Sequence, residues 1–160
     1  GLRMNGKKED DVNVSNLTLR KSKYSGVYGY NGASMHLDNV SVENSGSDGV
    51  FVYGSKRNTM KNCNVSHSKS SGLYVGGGLM TIDGNATTIH HNVTSGGGYY
   101  GLYAYGSSSF IHLVSPFTKE MISTNNNHGR NYWSNSYNCT PRIFLGTIKT
   151  ITKNTKEEKK

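Results

Sequence analysis

Apolar residues in this chain fall in short alternating runs, not in helical faces. Val12-Asn13-Val14 is followed by Leu17-Thr18-Leu19 and then, after a polar stretch over residues 20–25, by Gly26-Val27-Tyr28-Gly29. Alternation with period two predicts short half-buried strands. The order then returns. Met35-His36-Leu37, Val40-Ser41-Val42 and Gly49-Val50-Phe51-Val52 repeat it, and Asn58-Thr59-Met60, Cys63-Asn64-Val65 and Gly72-Leu73-Tyr74-Val75 repeat it again. The glycines fall at 26, 49, 72 and 101, so the steps are 23, 23 and 29 (49 − 26, 72 − 49, 101 − 72). A fixed period in this range marks a solenoid. Three strands per repeat, each in register with its copies, predict an all-β chain wound as a single-stranded parallel β-helix of about five coils.

Period-two geometry sorts the side chains. Val14, Leu37 and Met60 are expected to face inward, as are Leu17, Val40 and Cys63; Leu19, Val42 and Val65; and Val27, Val50, Leu73 and Leu102. Thr18, Ser41 and Asn64 are expected outside, with the row Tyr28, Phe51, Tyr74 and Tyr103. Asn16, Asn39 and Asn62 share one corner, where asparagine can turn inward and bond backbone amides as a ladder.

Regularity fades after the third repeat. Asp83-Gly84-Asn85-Ala86 reads as an inserted loop, Ile89-His90-His91-Asn92-Val93 resumes the wall, and Gly96-Gly97-Gly98 loosens the next turn. A fifth repeat is degenerate: Ile111-His112-Leu113, Met121-Ile122 and His128-Gly129-Arg130, with Gly129 placed 28 residues after Gly101 (129 − 101). Terminal repeats are atypical because they close the core. The resulting organisation is a polar lead-in over 1–10, the β-helix over 11–133, a C-terminal cap strand over 134–151 built on Arg142-Ile143-Phe144-Leu145, and a basic tail over 152–160. Because the chain starts almost directly in repeat-like sequence, it is expected to be the C-terminal part of a longer protein.

Composition changes the picture little. Only 33% of the 160 residues are hydrophobic and 20 are glycine, which alone would suit disorder, but 11 tyrosines and a strict repeat argue against it. A stacked coil needs only a thin core. Net charge is +8, from 18 basic and 10 acidic residues, which favours polyanionic partners. Cys63 and Cys139 are too few for a disulfide framework. No apolar run is long enough to span a membrane, and no signal peptide is visible at Gly1-Leu2-Arg3-Met4.

The pattern Asn-apolar-x-apolar, a polar turn, then Gly-apolar-aromatic-apolar covers residues 11–133 and resembles the right-handed parallel β-helix repeat of the pectate-lyase-like superfamily. That resemblance, not the spacing, implies the right hand. The family includes polysaccharide lyases, hydrolases and epimerases, phage tailspikes and virion proteins of large DNA viruses. It therefore leaves two classes of function open.

The candidate chemistry is thin. Hydrolysis of glycosides calls for two carboxylates roughly 5–10 Å apart. Asp48 alone precedes a Gly-apolar strand, where the hydrolase branch carries an acid, but the equivalent positions are Ser25, Ser71 and Tyr100. The branch's paired Asp and its Gly-His-Gly are missing. Asp48 is expected to be a turn residue. Arg57 and Arg130 are the candidate lyase bases, without an acid cluster beside either. His90-His91 suits a metal ligand or a base, though no third ligand has fitting spacing, and His36 and His112 share one face with two coils between them. The histidines are expected to be structural, with no metal and no cofactor. Seven Asn-x-Ser/Thr sequons arise largely from the repeat, and only Asn85, in the inserted loop, is a candidate for glycan.

The row Tyr28, Phe51, Tyr74 and Tyr103, with Tyr30, Tyr53 and Tyr105 just beyond it, is the expected binding surface, since contiguous exposed aromatics mark interaction sites. The reading is a non-enzymatic structural or adhesion module of a larger assembly, virion or extracellular, such as a virion surface or minor capsid component. Its partners are other protein chains or a polysaccharide; nucleic acid is not expected. The alternative is a polysaccharide-active enzyme with its main site upstream of residue 1.

Overall fold

The computed structural model describes residues 1–30, 32–133 and 146–153. The strands are β1 (Leu2–Asn5), β2 (Asp11–Arg20), β3 (Val27–Tyr30), β4 (Ser34–Glu43), β5 (Val50–Tyr53), β6 (Asn58–Lys61) and β7 (Asn64–Ser66). They continue with β8 (Leu73–Gly76), β9 (Leu79–Asp83), β10 (Thr88–His90), β11 (Leu102–Tyr105), β12 (Phe110–Val114), β13 (Ser123–Thr124) and β14 (Thr147–Ile151). A single helical turn, α1 (Lys119–Ile122), precedes β13. Every strand pair is parallel.

The strands build three walls of one parallel β-helix. β1-β3-β5-β8-β11 form one sheet, the third wall; β6, β9, β12 and β14 lie in the first wall, and β7, β10 and β13 in the second. The long strands β2 and β4 bend in the middle and so serve two walls. β4 pairs with β6 through His36, Leu37 and Asp38, and with β7 through Ser41, Val42 and Glu43. The bend sits at Asn39, held at φ 53°, as are Asn16 at φ 53° and Asn62 at φ 50°. Asparagine tolerates this left-handed conformation far better than branched residues do.

Side chains stack as the alternation requires. Leu37 is in register with Met60, and Val42 with Val65. Val27, Val50, Leu73 and Leu102 follow one another across β3, β5, β8 and β11. All of these are buried, and Val40 and Cys63 with them. Each fully buried aliphatic side chain stabilises the fold by about 1.5–3 kcal/mol. Only the first copies differ. Val14 and Leu19 are half-buried and Leu17 is 37% exposed, because among the described residues β2 pairs with β4 alone.

Three further expectations are corrected. The stretch read as a lead-in carries β1, which extends the third wall by pairing Leu2–Asn5 with Val27–Tyr30. Two of the three corner asparagines do not turn inward; the third, Asn62, accepts from the Ala86 amide of the next coil at 3.4 Å. Asn16 and Asn39 are exposed, and Asn39 Nδ2 donates to Asn16 Oδ1 at 2.7 Å on the outside. The inward ladder lies at the next corner, where Asn92 and Asn126 are buried. Asn92 Nδ2 donates to the Val65 and His90 carbonyls, its Oδ1 accepts from the Ser68 amide, and Asn126 Oδ1 accepts from the Asn92 amide. Finally, Gly129 is not the fifth copy of the repeat glycine. Leu102 N donates to the Asn131 carbonyl, as Val27 N does to that of Gly49, so Asn131 holds that place.

At the C-terminal end β14 adds to β12, pairing Thr147–Ile151 with Phe110–Val114. Arg142 to Leu145, read as the core of the cap strand, and Cys139 lie outside the described residues, as does the tail from residue 154.

Candidate docking face

The third wall carries the aromatic rows. Tyr28, Phe51, Tyr74 and Tyr103 are direct register partners on β3, β5, β8 and β11. They are outward because Val27, Val50, Leu73 and Leu102 before them and Gly29, Val52, Val75 and Ala104 after them point inward. Tyr28 and Phe51 stack with centroids 4.9 Å apart and planes 4° apart, and Phe51 and Tyr74 do so at 4.9 Å and 2°. Tyr103 breaks the stack and meets Tyr74 edge-on, at 5.3 Å and 86°. All four rings are half-buried. Stacking turns their faces to one another, so edges and hydroxyls meet solvent.

A second row lies beside the first. Tyr30 stacks on Tyr53 at 5.5 Å, and Tyr53 is 48% exposed. Tyr53 is in register with Gly76, not with another aromatic. A Cβ at Gly76 would come within 3.0 Å of the Tyr53 ring and 3.1 Å of the Tyr74 ring, so the missing side chain lets both rings close over the backbone. Tyr105 follows on the far side of Gly76, 40% exposed and 6.2 Å from Tyr74. Tyr100 and Trp133 extend the patch, with centroids 4.7 Å apart. Neither was expected at this surface, because Tyr100 sits before the strand alternation that starts at Gly101 and Trp133 falls at the end of the degenerate last repeat.

Cations flank this face. The Arg3 guanidinium lies over Tyr28 at 5.6 Å and that of Arg130 over Tyr100 at 5.8 Å. Burial pushes the Tyr74 phenol up to about 12, with neighbouring Tyr103 and Tyr105 adding to the shift, and burial also raises Tyr103. The Tyr74 and Tyr103 hydroxyls are therefore neutral donors and acceptors throughout the physiological range.

The other candidate residues lie off the aromatic rows, and two of them, Arg57 and His36, meet at Asp11. Asp48 is buried, and its Oδ1 accepts from the Ser71 amide at 2.9 Å. Burial holds its carboxyl above the usual range. Arg57 is tied to the segment before β2, with Nη2 3.0 Å from Asp11 Oδ1 and bonded to the carbonyls of Lys8 and Glu9. His36 bonds Thr59 at 2.9 Å and Asp11 at 3.2 Å. His112 is in register with Lys149 on β14, and burial, then Lys149, lowers its pKa. Asn85 is exposed in its loop. Among the described residues no three His, Cys, Asp or Glu side chains form a ready metal site. No helix there is long and apolar enough to cross a membrane.

Comparison with known families agrees with this architecture. Residues 1–155 match the family described as the right-handed beta helix region. The chain belongs to that family. No curated protein and no solved structure matches it.

Proposed function

We propose that this chain is a non-enzymatic structural or adhesion module of a larger assembly, and that the third wall is its docking face. The observation that carries the reading is the pair of aromatic rows, Tyr28-Phe51-Tyr74-Tyr103 beside Tyr30-Tyr53 and Tyr105, flanked by Arg3 and Arg130. Tyrosine and arginine are enriched among the residues that dominate protein interfaces, and tyrosine gives large contact area for little lost entropy. Ring edges and hydroxyls suit a protein partner better than a sugar, whose hydrophobic side needs an open ring face. The positive balance of the chain favours an acidic partner surface. The setting we propose is a virion surface, a minor capsid layer or another extracellular assembly, on the strength of the repeat's resemblance to such proteins.

The competing reading is an enzyme acting on acidic polysaccharide. Against it, Asp48 is buried and its row holds Ser25, Ser71 and Tyr100. Incubation with pectate and alginate is expected to release neither unsaturated nor reducing ends. Release that disappears in Asp48→Asn would overturn the proposal. A companion test uses Tyr53→Ser with Tyr105→Ser. These two rings are the most exposed of the rows, and their removal should weaken co-assembly, read by sedimentation velocity with acidic protein partners, while circular dichroism stays unchanged. Loss of alginate retention in the same variant, with co-assembly intact, would favour the sugar-binding reading.

A further inference from the structure

A second cluster lies on a different wall. His67 and His91 occupy one corner in successive coils. Each follows a strand residue of one register row, Glu43, Ser66, His90 and Thr124, so the corner row reads Asn44, His67, His91 and Asn125. All four have left-handed φ, at 57°, 57°, 52° and 51°. Asparagine and histidine are among the residues enriched there. The shared corner stacks the His67 ring on that of His91 at 5.3 Å and 7°. His90, on the adjoining strand, meets His91 edge-on at 4.9 Å.

A hydrogen-bond relay orients this pair. Glu43 is ionised, its pKa held down by bonds from Ser41 and Arg20, so it only accepts. Ser41 Oγ donates to Glu43 Oε1 at 2.9 Å, and Asn64 Nδ2 donates to Ser41 Oγ at 3.2 Å. Asn64 therefore turns its Oδ1 toward His90, where it accepts from Nε2–H at 2.9 Å. That contact fixes the His90 tautomer: the proton is on Nε2 and the lone pair is on Nδ1. The lone pair faces His91 Nδ1 at 2.7 Å.

We propose that His90 Nδ1 and His91 Nδ1 form a two-nitrogen seat for a divalent transition-metal ion of the copper or nickel type. The ion would sit to one side of the line joining the two nitrogens, and the hydrogen on His91 Nδ1 would move to its Nε2, so no net proton is lost. With metal–nitrogen bonds of about 2.0–2.1 Å, nitrogens 2.7 Å apart subtend about 80° at the ion. That angle fits tetragonal Cu(II) or Ni(II) rather than tetrahedral zinc. The Asn64 contact is the outer-shell hydrogen bond that imidazole ligands normally make through their second nitrogen. His91 is exposed, so the seat opens to solvent and water fills the remaining positions. His67 covers one face of the His91 ring and holds it, without being a ligand.

The neighbouring coils supply conservative test variants. His90→Thr copies Thr124, His91→Asn copies Asn125, and Asn64→Ser copies Ser41 in the same rows. One equivalent of Cu(II) added to the full chain should give a tetragonal paramagnetic resonance spectrum with coupling to two imidazole nitrogens. Each histidine variant should weaken Cu(II) binding by at least about tenfold, the loss that even an outer-shell partner carries, and Asn64→Ser by about tenfold. In the wild-type chain, Ni(II) should broaden the ring protons of His90 and His91 before those of His36, His112 and His128. Equal Cu(II) affinity in wild type and in the double variant His90→Thr/His91→Asn would overturn the seat. So would first broadening at another histidine, or an equal loss from His67→Asn.

Discussion

Gly49 lies so close beneath Val65 that a Cβ on the glycine would overlap the valine Cγ1 and stand 2.7 Å from the Gly72 carbonyl oxygen. The same relation joins Gly26 to Val42, Gly72 to Ile89 and Gly101 to the Ser123 hydroxyl. None of these four glycines has a positive φ. The repeat keeps glycine there for space at the corner where the third wall meets the second, and not for backbone freedom.

Gly49→Ala is therefore expected to destabilise the fold by about 1–3 kcal/mol through overpacking. Equilibrium unfolding in urea measures this. Val65→Ala in the same chain should recover part of the loss, since contacting sites are not additive. Strict additivity of the two changes would show that the collision is relieved elsewhere.

The inward ladder gives a second prediction. Asn92→Ala leaves the Ser68 amide and the Val65 carbonyl without their partner in a buried corner. Each unsatisfied buried group costs about 1–3 kcal/mol. The variant should lose more stability than Asn39→Ala, whose side chain bonds only an exposed Asn16. Equal unfolding midpoints for the two variants would mean that water satisfies the corner in either case.

Strand existence, register and inward rows were legible because alternation and a 23-residue copy length report directly on pleat and stacking. Leu73 and Val42 are fully buried as those rows require. Which asparagine turns inward was not legible. Asn39 and Asn92 both sit at corners, and only the path of the neighbouring coil decides whether an amide or water is the partner. The fifth repeat misled for a related reason. Gly129 matches the glycine spacing, but the chain between it and Gly101 includes a helical turn, so register is set by the Leu102–Asn131 hydrogen bond instead. The aromatic rows were visible as rows. The close spacing of Tyr28, Phe51 and Tyr74 followed from strand stacking, but Tyr103, expected in line with them, turns edge-on, which depends on ring rotation; the approach of His67 to His91 across coils was not visible either.

Asp48 supplies a pH test. Its folded pKa is raised above the ordinary 3.8 by burial, against a smaller opposing effect of the Ser71 amide. A carboxyl with a raised folded pKa contributes stability that is full below 3.8 and is lost as pH rises through the folded value. Asp48→Asn keeps an oxygen for the Ser71 amide and never ionises. Relative to this variant, the wild type should gain stability on acidification toward pH 3.8 and lose it toward neutrality. Thermal unfolding of both proteins from acid to neutral pH reads the difference. A wild type that gains on the variant as pH rises would place a stabilising charge at Asp48.

The aromatic stack separates folding from docking. Phe51 and Tyr74 point outward, and from the sequence alone their joint replacement by serine should leave folding nearly untouched. Their rings are instead half-buried and stacked at 4.9 Å and 2°, and burial raises the Tyr74 phenol to about 12. Aromatic pairs of this geometry contribute about 0.5–1.5 kcal/mol beyond the area they bury. Phe51→Ser with Tyr74→Ser removes the centre of the row and takes from Tyr28 its stacked neighbour and from Tyr103 its edge-on one. The double variant should fold, with its urea midpoint lowered by the equivalent of roughly 1–3 kcal/mol. Tyr53→Ser with Tyr105→Ser should leave the midpoint near wild type, because those rings are more exposed and sit beyond the main stack. Both variants should lose partner binding if the third wall is the docking face. Binding lost only in the Phe51/Tyr74 variant would make the rows a structural ladder whose effect on partners is indirect. Binding kept in both would move the docking face to another wall.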